Sequence, residues 1–239
     1  NCDYIAFIPL PSADPNVERG LLCVNHEYTD TNLMFPGLKT RDDLVALPKE
    51  IIEAEMAAMG HSVIEVARQP DGDWKIDQNG RLNRRLTALA TPIRISGPAA
   101  GHPRLRTSED PTGRNVVGTL NNCGGGVTPW GTMLICEENF NATFSGSADT
   151  TPEAENHKRY GIDGPSRFSP AWAKHFPRFD IEQEPNEPNR FGWVVEFDPM
   201  NSRSRPVKRT ALGRCKHEGA GIITNHDGRV VVYCGDDER

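Results

Sequence analysis

The sequence lacks any apolar run approaching the roughly 20 residues that a membrane-crossing helix needs, and it shows no secretion leader. None of its six cysteines, Cys2, Cys23, Cys123, Cys136, Cys215 and Cys234, forms a Cys-x-x-Cys pair. That excludes zinc ribbons and thioredoxin-like redox chemistry, and the wide spacing does not suit a small disulfide scaffold. There is no basic stripe: 27 Lys and Arg against 33 Asp and Glu leave a net charge of -6. Without cations to displace counterions, nucleic acid is excluded as a partner. The EF-hand loop, His-Glu-x-x-His, the P-loop and the Gly-x-Ser-x-Gly elbow are all missing. The 239 residues, 36% hydrophobic and 25% charged, read as one polar domain spanning 1–239. The chain opens on Asn1-Cys2-Asp3-Tyr4, directly before a strand-like run, and stops at Arg239, directly after acids. Both ends read as cuts, so an internal piece of a longer protein is expected, and the missing leader carries no information on location.

Short β-like runs dominate: Ile5-Ala6-Phe7-Ile8, Leu21-Leu22-Cys23-Val24, Ser62 to Val66, Pro92 to Ile95, Thr132 to Cys136, Gly192 to Phe197, Gly221-Ile222-Ile223 and Val230 to Tyr233. Turn signals at Pro70-Asp71-Gly72-Asp73, Gln78-Asn79-Gly80 and Asn225-His226-Asp227-Gly228 separate them. One short helix is expected from Lys49 to Met59, between Pro48 and Gly60. The stretch 150–190, dense in Pro, Asn and charge, reads as a long surface excursion with a helical turn near Ala171 to Lys174.

Three segments share a plan: glycine, an apolar strand containing a cysteine, then acids. They run from Gly20 to Glu27, from Gly131 to Glu138 and from Gly228 to Glu238. Repeated strands with acids at equivalent ends suggest an all-β fold, a β-propeller whose blades set matching positions around one channel. The repeat is longer than a blade of roughly 40–45 residues, so other blades or insertions lie between copies; a sandwich also fits the strands alone. Glu27, Glu137, Glu138, Glu218, Asp236, Asp237 and Glu238 are hard oxygen donors suited to Ca²⁺, Mg²⁺ or Fe³⁺. Cys123, in Asn121-Asn122-Cys123-Gly124-Gly125-Gly126, is a soft donor favouring a transition metal.

Structural readings compete with these. Adjacent strand residues point to opposite faces, so His26 and Glu27, His217 and Glu218, or Glu137 and Glu138 do not normally share a site. The histidines then read as hydrogen-bonding structural residues. Cys23, Cys136 and Cys234 sit in apolar runs and read as buried, inert thiols. The triple glycine serves either a bulge or close backbone approach to a metal-bound ligand. Trp130, Trp193 and Phe191 read as packing the core or the interface between blades.

At these motifs the chain resembles the PhoX-type alkaline phosphatases. The matching stretches are Val24-Asn25-His26-Glu27-Tyr28-Thr29, Asn121-Asn122-Cys123, Thr128-Pro129-Trp130-Gly131-Thr132, Cys136-Glu137-Glu138-Asn139, Arg190 to Glu196, Lys216-His217-Glu218-Gly219-Ala220, and Tyr233 to Arg239, in family order. The resemblance implies a six-bladed β-propeller, here an incomplete set of blades with long loop insertions. It implies a cofactor of Fe³⁺ and Ca²⁺, hydrolysis of small phosphate monoesters by a monomer, and twin-arginine export to the periplasm or cell surface. It places Cys123 on iron, Glu218 with Glu137 or Glu138 or both on iron or calcium, and Glu27 with Asp236, Asp237 and Glu238 on calcium. It also implies later segments, beyond Arg239, that add ligands and phosphate-binding cations. Metal-assisted phosphoryl transfer asks little covalent chemistry of side chains, which favours Cys123 as ligand over nucleophile. The alternatives are a non-catalytic calcium-stabilised propeller acting as a binding module and a calcium-dependent propeller lactonase.

Overall fold

The computed structural model describes residues 2–238 apart from residues 13, 15, 16, 39 and 168; the Arg239 and Asn1 ends of the motifs lie outside the described residues. The first sheet holds β1 (Cys2–Pro9), β2 (Arg19–His26), β3 (Gly60–Arg68), β4 (Trp74–Ile76) and β5 (Arg84–Thr87), in the order β1-β2-β3-β4 with β5 also paired to β3. The second holds β6 (Pro92–Ser96), β7 (Asn115–Val117), β8 (Asn122–Val127), β9 (Met133–Glu137), β10 (Val194–Phe197) and β11 (Val207–Arg209), in the order β7-β6-β11-β10-β9-β8. β12 (Gly221–Thr224) and β13 (Val230–Tyr233) form a hairpin through the turn at Asn225 to Gly228. Every pairing is antiparallel except β6 with β11. The architecture is all-β and propeller-like.

Burial follows sequence. β9, Met-Leu-Ile-Cys-Glu, is buried at every position between β8 and β10, and its continuous apolar run reflects two covered faces. β1 alternates exposed and half-buried residues, as an edge strand does. The core joins both sheets through Leu21, Val63, Leu86, Ile93, Ile135 and Val195.

The helices are α1 (Thr31–Met34), α2 (Arg41–Val45), α3 (Lys49–Ala58), α4 (Ala154–Arg159) and α5 (Trp172–His175). α3 and α5 match expectation. The others run for four to six residues, too short to display a helical period. None is long and apolar enough to cross a membrane, among the described residues.

The stretch 150–190 departs from its expected surface position. It buries Ile162, Trp172, Phe179 and Ile181 in the core, and the Trp172 indole donates to Glu55 on α3 at 3.1 Å. Its charge is neutralised internally: Arg178 and Arg190 both pair with Glu187, and all three are buried. Its prolines sit in the first turns of short 3-10 segments, at Pro177 and Pro188. Trp130 lies outside the core, 61% exposed with its indole on Glu196 at 3.0 Å, whereas Trp193 and Phe191 are buried.

Candidate metal centre

β8 breaks register with β9 between Asn122 and Gly125, and the residue before it, Asn121, has φ 46°, a left-handed conformation that Asn tolerates. The bulge turns the Cys123 side chain inward, where Sγ donates to the His217 carbonyl at 3.2 Å and is 1% exposed. The glycines let a second chain segment lie against this one. A Cβ at Gly124 would be driven into the Glu218 carbonyl oxygen, and one at Gly126 into that of Ala220. So Glu218, in the segment leading into β12, arrives beside Cys123. The sulfur of Cys123 and one carboxylate oxygen each of Glu138 and Glu218 all lie within 4.8 Å of one another.

The repeat supplies the rest. Glu27 follows β2, Glu138 follows β9 and Asp237 follows β13; Glu138 hydrogen-bonds both Glu27 and Asp237. One acid from each copy thus meets at one place. The arrangement is graded: Cys123, Glu138 and Glu27 are buried, while Glu218 and Asp237 are exposed. Asp3 on β1 adds its charge to the same field.

Crowded carboxyls without cations resist ionisation. Among the described residues no ion pair reaches Glu138 or Glu218. Burial, then the hydrogen bonds its protonated carboxyl donates to its acidic neighbours and their charge, push the Glu138 carboxyl up to about 8, and Glu27 and Glu218 shift upward as well, burial first. Burial also raises the Cys123 thiol, and the Glu138 and Glu218 charges add to this. A raised thiol is a poor nucleophile, but a coordinated thiol loses its proton to the metal. A soft thiol beside hard carboxylates, held protonated for want of positive charge, fits a mixed transition-metal and hard-cation centre.

This has a pH consequence for the metal-free protein. Glu138 titrates at about 8 when folded and near ~4.3 when unfolded. The folded state therefore binds the extra proton between those values, and stability falls as pH rises through that window. Thermal unfolding of metal-free protein is expected at lower temperature at about pH 8 than at about pH 5, by ~2–4 °C per kcal/mol of penalty. Glu138→Gln should flatten this slope and calcium should oppose it. A wild-type profile no steeper than that of Glu138→Gln would contradict the crowding.

Three candidate ligands stand elsewhere. Glu137 points to the opposite face of β9, where both oxygens take Lys208 Nζ at 2.8 and 3.0 Å and the backbone N–H groups of Leu120, Gly192 and Trp193 fill the remaining acceptor sites. Its oxygens are taken up by the protein's own donors. Asp236 accepts from the Lys216 and Glu238 N–H groups, which holds the turn after β13, and Glu238 pairs with Lys216. His26 bonds Ser62 at 2.7 Å and His217 the Gly213 carbonyl at 3.1 Å, as alternation required. Cys23 and Cys136 are fully buried and Cys234 half-buried, all as free thiols. Asp3, Asn25, His61 and Lys208 were not singled out by sequence; their signals, a lone acid in an edge strand and polar residues within apolar runs, are common in strands without function.

The sequence profile of the family described as Alkaline phosphatase PhoX matches residues 1–239. Among solved structures, Pseudomonas fluorescens PhoX in complex with vanadate, a transition state analogue, is similar over 100% of this chain, with 45% identity and a TM-score of 0.86. The chain spans 39% of that structure's chain. No curated protein matches the chain at a significant level.

Proposed function

We propose, from the premise that this chain belongs to the PhoX alkaline phosphatase family, that it carries the thiolate side of a metal centre that hydrolyses small phosphate monoesters. The observation that carries this is the convergence of Cys123, Glu138 and Glu218 within 4.8 Å. Cys123, at the buried base, would hold iron, Glu138 and Glu218 would hold iron or calcium beside it, and Glu27 and Asp237 would hold calcium. Bound there, such cations supply charge neutralisation and Lewis-acid chemistry for phosphoryl transfer. The residues themselves fix donor positions, and the exposed Glu218 and Asp237 keep one side open to substrate. The similarity to a vanadate-bound relative supports a phosphoryl substrate. Export to the periplasm or cell surface, and action as a monomer, belong to the same proposal.

Metal analysis with p-nitrophenyl phosphate turnover, before and after chelation, tests it. Cys123→Ser, which keeps a donor for the His217 carbonyl, is expected to lose iron and to lower turnover by about 100-fold or more. Turnover that survives EGTA in iron-free protein would sink the reading. Tight calcium with no iron and an indifferent Cys123→Ser would instead indicate a binding module, and lactone turnover without phosphatase activity a lactonase.

A further inference from the structure

The bulge in β8 interrupts its register with β9 at Cys123 and Gly124, and buried carbonyls need partners. Both are taken by one side chain: Asn25 Nδ2 donates to Cys123 O at 2.7 Å and to Gly124 O at 2.9 Å. Asn25 Oδ1 meets His61 Nδ1 at 2.7 Å. Asn25 and His61 face each other directly across the β2–β3 register, which sets them on one face, and both are 0% exposed.

The proton positions follow by elimination. Carbonyl oxygens only accept, so the carboxamide turns its NH₂ toward them. Its oxygen then faces the imidazole, which must carry its proton on Nδ1. Nε2 is buried without a hydrogen-bond partner, and the ring stands edge-on to Phe197 at 5.1 Å. Arg84, Arg85 and His26 are the charged or titratable groups acting on the ring, and each opposes a second proton on it.

We propose that His61 and Asn25 are positioning residues for the metal thiolate: the Nδ1–H of His61 fixes the Asn25 carboxamide, which pins the two bulge carbonyls and so aims Cys123. The pin crosses from the first sheet to the second, so the thiolate's place is set by a blade that does not carry it. The inference rests on the reading of Cys123 as a metal ligand.

Nitrogen-15 NMR of His61 in the metal-free protein should show the Nδ1–H tautomer; the Nε2–H tautomer would overturn the proposal. Asn25→Asp keeps the shape but sets carboxylate oxygens against carbonyl oxygens. It is expected to weaken metal binding about 10–100-fold in chelator competition, with a shifted thiolate-to-metal absorption band. If that variant does not fold, a second pair decides. His61→Asn places a donor near the Nδ1 position and should bind metal more tightly than His61→Gln, whose donor falls nearer Nε2; equal affinities overturn the proposal. Failure of the two readings is distinguishable. If Cys123→Ser leaves metal binding intact, the ligand assignment fails. If Cys123→Ser abolishes it while Asn25→Asp binds like wild type, only the positioning inference fails.

Discussion

Replacing Lys208 with methionine is expected to destabilise the protein by about 3–5 kcal/mol, the range for removing one partner of a buried ion pair. Lys208 and Glu137 are both 0% exposed. The ammonium has three protons and three acceptors: the two Glu137 oxygens and the Arg190 carbonyl, at 2.8 to 3.0 Å. It also stands 3.8 Å from the centroid of the Phe191 ring. Burial pulls the ammonium down to about 8 against the opposing pull of Glu137, so Lys208 keeps its charge at neutral pH. Methionine matches the length and leaves Glu137 as an uncompensated buried anion. In the double variant Glu137→Gln/Lys208→Met the charge conflict is gone, but the introduced carboxamide NH₂ faces a donor, either the Leu120 N–H or those of Gly192 and Trp193. The double variant should therefore recover part of the loss, with a coupling energy on the order of 2 kcal/mol. Denaturant unfolding of the four proteins in the same metal buffer measures this. A single variant within about 1 kcal/mol of wild type would show that the pair is relaxed or hydrated.

That pair also explains which half of the site could be read from sequence. The repeat marked three strand ends, and alternation along a strand allowed one of Glu137 and Glu138 to face the site. Nothing local decides which. The choice is made by Lys208, 71 residues away, a cation in a three-residue strand whose partner becomes visible only when β9, β10 and β11 lie side by side. Asn25 and His61 were hidden for a similar reason. Each is a polar residue in a strand, and their role depends on carbonyls in a bulge about 100 residues later in the chain. The runs of β1, β2, β3, β6, β9, β10, β12 and β13 were legible from their apolar, β-branched composition, and in the packed ones burial on one or two faces leaves a period in the sequence. The stretch 150–190 was not, because its polar residues are satisfied by each other, as in Arg178, Glu187 and Arg190, and composition cannot distinguish an internal ion cluster from a solvated one.

Gly124→Ala is expected to dismantle the centre without touching any ligand. Gly124 does not require a left-handed backbone, so alanine there would ordinarily be neutral or stabilising by about 0.4–1 kcal/mol through the unfolded chain. Here the added methyl meets the backbone of Glu218 and Gly219, and backbone in a packed segment cannot swing away as a side chain can. The 216–220 segment must retreat, carrying Glu218 from Cys123 and breaking the Sγ contact with the His217 carbonyl. Overpacking of this kind costs roughly 1–3 kcal/mol. The larger effect falls on the metal, because a donor set that closes within 4.8 Å is pried apart at its thiolate–carboxylate edge, and affinity should drop by about 100-fold or more. Gly219→Ala is the matched control: it is adjacent to Glu218, nothing lies within 4 Å of its added Cβ, and its backbone is also outside the left-handed region. It should retain metal and turnover. Chelator-competition titration of both variants reads the difference. Equal affinities would mean that the glycine serves the bulge alone and that Glu218 is positioned by something other than this close approach.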